Sequence, residues 1–197
     1  MQGIGVSTEV AAGKKSNSDI SFSSDNLERA SIPVVEEIVF TLRVSDADDW
    51  MADNLVNEEF VIYPTGLNAG SVTYPVRDSV AGEQVFVDDE NCTFIIESDG
   101  NDSIWGYTLY CFLENKTSAN LMFTWDNVSV NGFMTDPFWA TSVMPGKRSF
   151  SDISFSSSSF EENGISDVED IEFTLRVSDY DDWSASALVD EVFTFIP

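Results

Sequence analysis

The chain contains no histidine, so every mechanism that needs an imidazole base or an imidazole metal ligand is excluded at the outset. Bases of other kinds are scarce as well: nine Lys and Arg stand against 35 Asp and Glu, a formal charge of -26. A field of that sign repels phosphate backbones and anionic lipid, which argues against nucleic-acid partners and against electrostatic docking on membranes. No run of 18 apolar residues is present, so direct membrane insertion is not expected. Residues 1–15 lack the charged start and apolar stretch of a secretory leader. Cysteine is limited to Cys92 and Cys111.

What is present points to a folded β protein. Of 197 residues, 43% are hydrophobic and 13% aromatic, too many for an acidic disordered tail, so the carboxylates coat a packed interior. Ile171, Phe173, Leu175 and Val177 alternate with polar residues, the period of a strand with one buried face, and Ile38, Phe40, Leu42 and Val44 repeat the pattern. Phe193 and Phe195 mark a closing strand, and residues 121–125 and 128–130 run into an Asn131-Gly132 turn. Helix is scarce; single turns are expected where Asp25 precedes Glu28 and Ser158 precedes Glu161, at the spacing of a capping box.

The sequence also repeats itself. At an offset of 133, residues 10–64 align with residues 143–197 without a gap, and 32 of those 55 positions are identical. The unit is therefore 133 residues long. Residues 65–197 are one complete copy, and residues 1–64 are the C-terminal half of another whose front is missing. Truncation of a longer tandem protein is the expected reason for that loss and for the absent leader, with a native short gene product as the alternative. The fold class expected is all-β: an antiparallel two-sheet sandwich of immunoglobulin-like type, one complete copy plus half of a second. The half copy carries apolar strand faces with no partner, so self-association through residues 1–64 is expected.

Within the complete copy, residues 91–97 and 105–113 read as a hairpin joined by Ser98-Asp99-Gly100-Asn101-Asp102. A register with Cys92 opposite Cys111 also sets Phe94 against Leu109 and Ile96 against Tyr107. That makes the cysteines neighbours and leaves two outcomes open, a disulfide or a pair of free core thiols.

The run Glu114-Asn115-Lys116-Thr117, then Val128-Ser129-Val130-Asn131-Gly132, then Pro145-Gly146-Lys147-Arg148, with a strand ending Leu175-Arg176-Val177, resembles the immunoglobulin-like domains of uncharacterised Gram-positive surface lipoproteins. The resemblance covers about residues 85–197, and residues 10–64 for the half copy. It implies an extracellular or cell-envelope location and supplies no catalytic residues.

Three constellations are candidates for chemistry. Asp179, Asp181 and Asp182, matched by Asp46, Asp48 and Asp49, cluster carboxylates after a strand as a calcium loop does, but lack its glycine; the plainer reading is that Asp49 and Asp182 cap a short helix. Phe133, Phe138 and Trp139 form either an exposed aromatic platform for a glycan or protein partner, or a core strand. Paired carboxylates leave a two-carboxylate glycosidase as the sole enzymatic option, since a serine nucleophile would lack its base. The sequon-like triplets at Asn91, Asn101, Asn115 and Asn127 read as turn chemistry. The function expected is a non-enzymatic extracellular module, structural or ligand-presenting, that needs no cofactor; a carbohydrate-binding module is the alternative.

Overall fold

The computed structural model describes residues 7–197 apart from residues 50, 103 and 138. The chain divides into two compact units, with the boundary between Arg77 and Asp78. Strand outweighs helix in both, and every strand pairing among the described residues is antiparallel.

In the first unit a short helix, α1 (Ser24–Arg29), precedes a hairpin of β1 (Ile38–Val44) and β2 (Val56–Ile62). The register runs from Ile38 opposite Ile62 to Val44 opposite Val56, and Phe40 stacks on Phe60 at 5.7 Å. Two strands give each apolar side chain neighbours on one flank only. Leu42 and Val44 are accordingly exposed despite their strict alternation with polar residues.

The second unit has enough strands to close a core. One sheet runs β3 (Gln84–Asp88), β4 (Cys92–Asp102), β5 (Gly106–Asn115), β9 (Arg148–Phe155). The other runs β11 (Val189–Phe195), β10 (Ile171–Asp179), β6 (Leu121–Val130), β7 (Phe133–Met134), with β8 (Ala140–Val143) also on β6. A helix, α2 (Ser157–Asn163), follows β9. Alternate residues of both sheets meet in one cluster, including Phe94, Ile96, Leu109, Leu113, Phe123, Ile153, Phe173 and Leu175. Phe173 of β10 lies flat on Trp125 of β6 at 3.8 Å and meets Phe94 of the facing sheet edge-on at 6.3 Å. Each fully buried side chain of this size contributes roughly 1.5–3 kcal/mol of transfer free energy.

Local geometry agrees between the units at the 133-residue offset. Ile171 pairs with Phe195 as Ile38 pairs with Ile62, and Leu188 N–H reaches the Val177 carbonyl as Leu55 N–H reaches that of Val44, both at 2.8 Å. The helices end alike, on a left-handed residue: Gly164 at φ +68° after α2 and Ser31 at φ +54° after α1. One element is not repeated. Residues 15–22 correspond to β9 yet form no strand, because the strand that β9 pairs with, β5, has no counterpart in the first unit.

Several local expectations are corrected. Residues 98–102 are strand, not turn, and the chain has reversed by the start of β5 at Gly106; Asp102 Oδ1 accepts the backbone N–H of Ile104 at 2.7 Å and of Trp105 at 2.8 Å. Gly106 takes φ +84°, and a Cβ there would strike the Phe155 carbonyl oxygen. The register follows: Cys92 faces Asn115, Phe94 faces Leu113, and Cys111 faces Ile96. Cys92 and Cys111 share the core face but stand four strand positions apart, about 13 Å along the sheet and beyond the roughly 7 Å that a disulfide spans. Both are buried, and no disulfide joins them. Titration of the denatured, unreduced chain should therefore count two thiols; a count of zero would restore the bond. The N-cap residues, Ser23 and Ser156, lie two residues before the expected caps, and neither serine side chain bonds into its helix. The Asn131-Gly132 turn forms as expected: both residues have positive φ, and Val130 pairs with Phe133.

Candidate functional site

The carboxylate loop after β10 is a set of turns. Asp179 Oδ1 accepts the backbone N–H groups of Asp181 at 2.8 Å and Asp182 at 3.2 Å; Asp182 Oδ1 accepts the N–H and the hydroxyl of Ser184 at 2.9 and 2.6 Å. Those bonds hold the Asp182 carboxyl below its usual range, the Ser184 hydroxyl first among them. Asp181 accepts the Asn120 amide at 2.7 Å. The loop before β2 repeats the pattern through Asp46 and Asp49. In both copies the expected helix is a single turn, closed by Ala52 N–H on Asp49 and Ala185 N–H on Asp182. Among the described residues no group of three or more Asp, Glu or Cys is placed to hold a metal ion.

The aromatic segment splits. Phe133 is half exposed on β7. Trp139 is only 9% exposed, donates its indole N–H to Ser151 Oγ at 2.9 Å and packs 5.8 Å from Trp125 and 6.0 Å from Phe94. Of the two readings, platform or core, Trp139 takes the core one, because the hydroxyl of Ser151 on β9 gives its polar edge a partner inside the protein. Phe138 lies outside the described residues. Among the described residues the exposed tryptophans are elsewhere: Trp105 in the β4–β5 turn and Trp183 between β10 and β11. Each follows an Asp whose carboxylate accepts turn amides.

A groove on the second unit gathers the polar groups that packing leaves over. It runs between the end of β6, the segment Met134 to Asp136 and α2, and its lining includes Asp126, Asn127, Asp136 and Glu162. Its shape comes from β6, where Asn127 takes φ +51° and the pairing with β10 shifts between Glu172 and Thr174. Two further lining residues, Trp125 and Thr135, carry buried side-chain polar atoms without a protein partner, Trp125 Nε1 and Thr135 Oγ1. Three acceptor carboxylates beside a buried indole donor and a hydroxyl suit a hydroxyl-rich ligand better than an anion. Sequence reading missed this groove because its two walls are about thirty positions apart.

Titratable groups in the core give an alkaline limit. Burial, then the Asp89 carboxylate, pushes the Cys92 thiol up to about 12, with Lys116 pulling the other way. Burial, the 2.8 Å hydrogen bond from Tyr107 to Asp99 and the Asp99 charge raise the Tyr107 phenol in turn. Both groups stay protonated in the folded chain at a pH where the unfolded chain has lost its protons. Their contribution is complete below about pH 9, the unfolded thiol range, and is lost as pH rises through the folded values. Denaturation midpoints should fall steadily above about pH 9; a flat profile to pH 11 would contradict the assignment.

No family model, curated protein or solved structure matches the chain.

Proposed function

We propose that this chain is a non-enzymatic, extracellular module of a bacterial surface protein, built from immunoglobulin-like β-sandwich repeats that support or present a ligand-binding surface. The observation that carries the reading is the 133-residue duplication, with its shared strand register and shared turn bonds. A protein that lengthens by adding copies of one antiparallel unit is built for reach and display, and in such a protein each copy needs only to fold. The acidic coat fits a surface that stays soluble and self-repelling. Antibody raised to the full chain should label intact cells and follow the envelope fraction; recovery from the cytosol alone would overturn the location.

A carbohydrate-binding reading has one specific observation in its favour, the groove with unpartnered Trp125 Nε1 and Thr135 Oγ1. A glycan array probed with the full chain separates the two. A reproducible sugar signal that is lost in Asp136→Ala and kept in a Trp183→Ala control would replace the display role with glycan recognition at the groove.

A further inference from the structure

The described residues include two C-terminal halves of the repeat, residues 10–64 and 143–197, and one segment, residues 78–142, of the kind that completes them. In the second unit that segment is joined to residues 143–197 by contacts whose partners can be checked, position by position, in the other half. Ser151, which accepts the Trp139 indole, corresponds to Ser18. Ser154, which bonds Thr108 at 2.9 Å, corresponds to Ser21, and Asp181, which accepts the Asn120 amide, to Asp48. Phe173, stacked on Trp125, corresponds to Phe40, and Leu175 and Val177 to Leu42 and Val44. Arg148, which pairs with Glu114 at 2.8 Å, corresponds to Lys15, so its charge is kept. Apart from Phe40, which is half-buried against Phe60, these counterparts are exposed in the first unit, and so are their apolar neighbours: Ile20 is 62% exposed where Ile153 is 0%, and Phe22 41% where Phe155 is 2%.

We propose that residues 10–64 are a second acceptor for residues 78–142 of the same chain, so that this one segment completes either the half that follows it or the half that precedes it. The chain path permits the exchange. In the second unit the end of the C-terminal half lies beside the start of β3, with the Gln84 side-chain amide donating to the Ile196 carbonyl at 2.5 Å. Tyr63 corresponds to Ile196, and residues 64–83 provide 20 residues, up to about 66 Å of chain, to make the same approach to Gln84. The other junction, the turn after β8, is left open by the exchange and strains nothing. The half that follows is the preferred partner for visible reasons. Phe150, which meets Phe112 edge-on at 5.4 Å, is Asn17 in the other half, and the left-handed residue after the helix is glycine at 164 but serine at 31.

The inference rests on the repeat reading and not on where the protein resides or what it binds. It is tested in the full chain with two cysteine pairs on the solvent face of the sheet. Arg176 lies directly opposite Thr124 in the β6–β10 register, and Arg43 is the counterpart of Arg176. A short bismaleimide should link T124C to R176C in one variant and T124C to R43C in another, the second at lower yield and within monomeric chains. Adding L175A, which weakens the competing half, should raise the 43–124 yield by about tenfold or more, and adding L42A should abolish it. Peptide mapping reads which positions are joined. A 176–124 link with no 43–124 link above that of a T124C/D53C control, or a yield that L175A and L42A leave unchanged, overturns the proposal. Linkage found only in covalent dimers also overturns it, and assigns the exchange to a second copy of the chain.

Discussion

Replacing Leu175 by alanine should cost residues 78–197 about 2 to 5 kcal/mol, whereas the same change at Leu42 should cost residues 7–77 less than about 1 kcal/mol. The two leucines occupy the same pentapeptide, Phe-Thr-Leu-Arg-Val, in strands with the same hairpin register, so propensity and local pairing cancel in the comparison. What differs is the far side. Leu175 is 0% exposed, paired on one flank with Glu191 of β11 and on the other with Trp125 of β6; Leu42 has Glu58 of β2 on one flank, no second strand, and 42% exposure. Truncating Leu175 removes its transfer free energy and leaves a cavity between two sheets that cannot collapse, while truncating Leu42 removes surface that water already reached. Urea denaturation of the two variants, followed by tryptophan fluorescence for the second unit and by exchange of the β1 amides for the first, gives both numbers. Equal losses would mean that residues 38–44 have a complete core in solution.

The same pair shows how far the sequence can be read. Alternation in residues 171–177 and 38–44 identifies both strands and their inward faces, since period-2 patterning records which side chains are meant for a core. It does not record whether the core is there, and only the sheet, with β6 present or absent, separates a buried strand from an exposed one. Turn chemistry was legible where it acts alone, as at Asn131-Gly132. It misled at residues 98–102, where five turn-forming residues are drawn into β4 by pairing with β5 and by the Tyr107 bond to Asp99, and the reversal falls to Asp102 and Gly106 just beyond. That displacement carried the cysteine register with it. At the candidate site the aromatic residues were visible and their roles were not, because a tryptophan's place depends on a partner for its indole: Ser151 takes Trp139 inward, and nothing in residues 131–140 announces a serine on β9.

The second large effect is expected at Asn115, which stands at the head of a sequon-like triplet and is nonetheless fully buried at the end of β5. Its amide donates to the carbonyls of Ala119 at 2.7 Å and Val143 at 2.8 Å, and its carbonyl oxygen accepts the backbone N–H of Thr117 at 2.9 Å and the Thr117 hydroxyl at 2.8 Å. One side chain thus ties the β5–β6 turn to the last residue of β8 and satisfies the buried carbonyl of Val143 along with part-buried backbone groups of the turn. Asn115→Ala removes the side-chain partner of the Val143 carbonyl and of the Thr117 N–H, while the Ala119 carbonyl keeps only the Thr117 hydroxyl at 3.2 Å; at about 1 to 3 kcal/mol for each buried group left unmet, a total loss of about 3 kcal/mol is expected. Asn115→Asp separates the donor from the acceptor. A carboxylate still accepts from Thr117 but faces two carbonyl oxygens, so the folded chain favours the protonated acid and raises its pKa above the unfolded value of about 3.9. The sign follows: the Asp variant should lie closest to the parent chain below about pH 4 and fall further behind as pH rises through the folded value. Denaturation midpoints of parent, Ala and Asp forms between pH 3.5 and 8 measure this directly. A pH-independent gap between the parent and Asp forms would show that the residue 115 side chain is hydrated, and would remove the amide as the tie between β5 and β8.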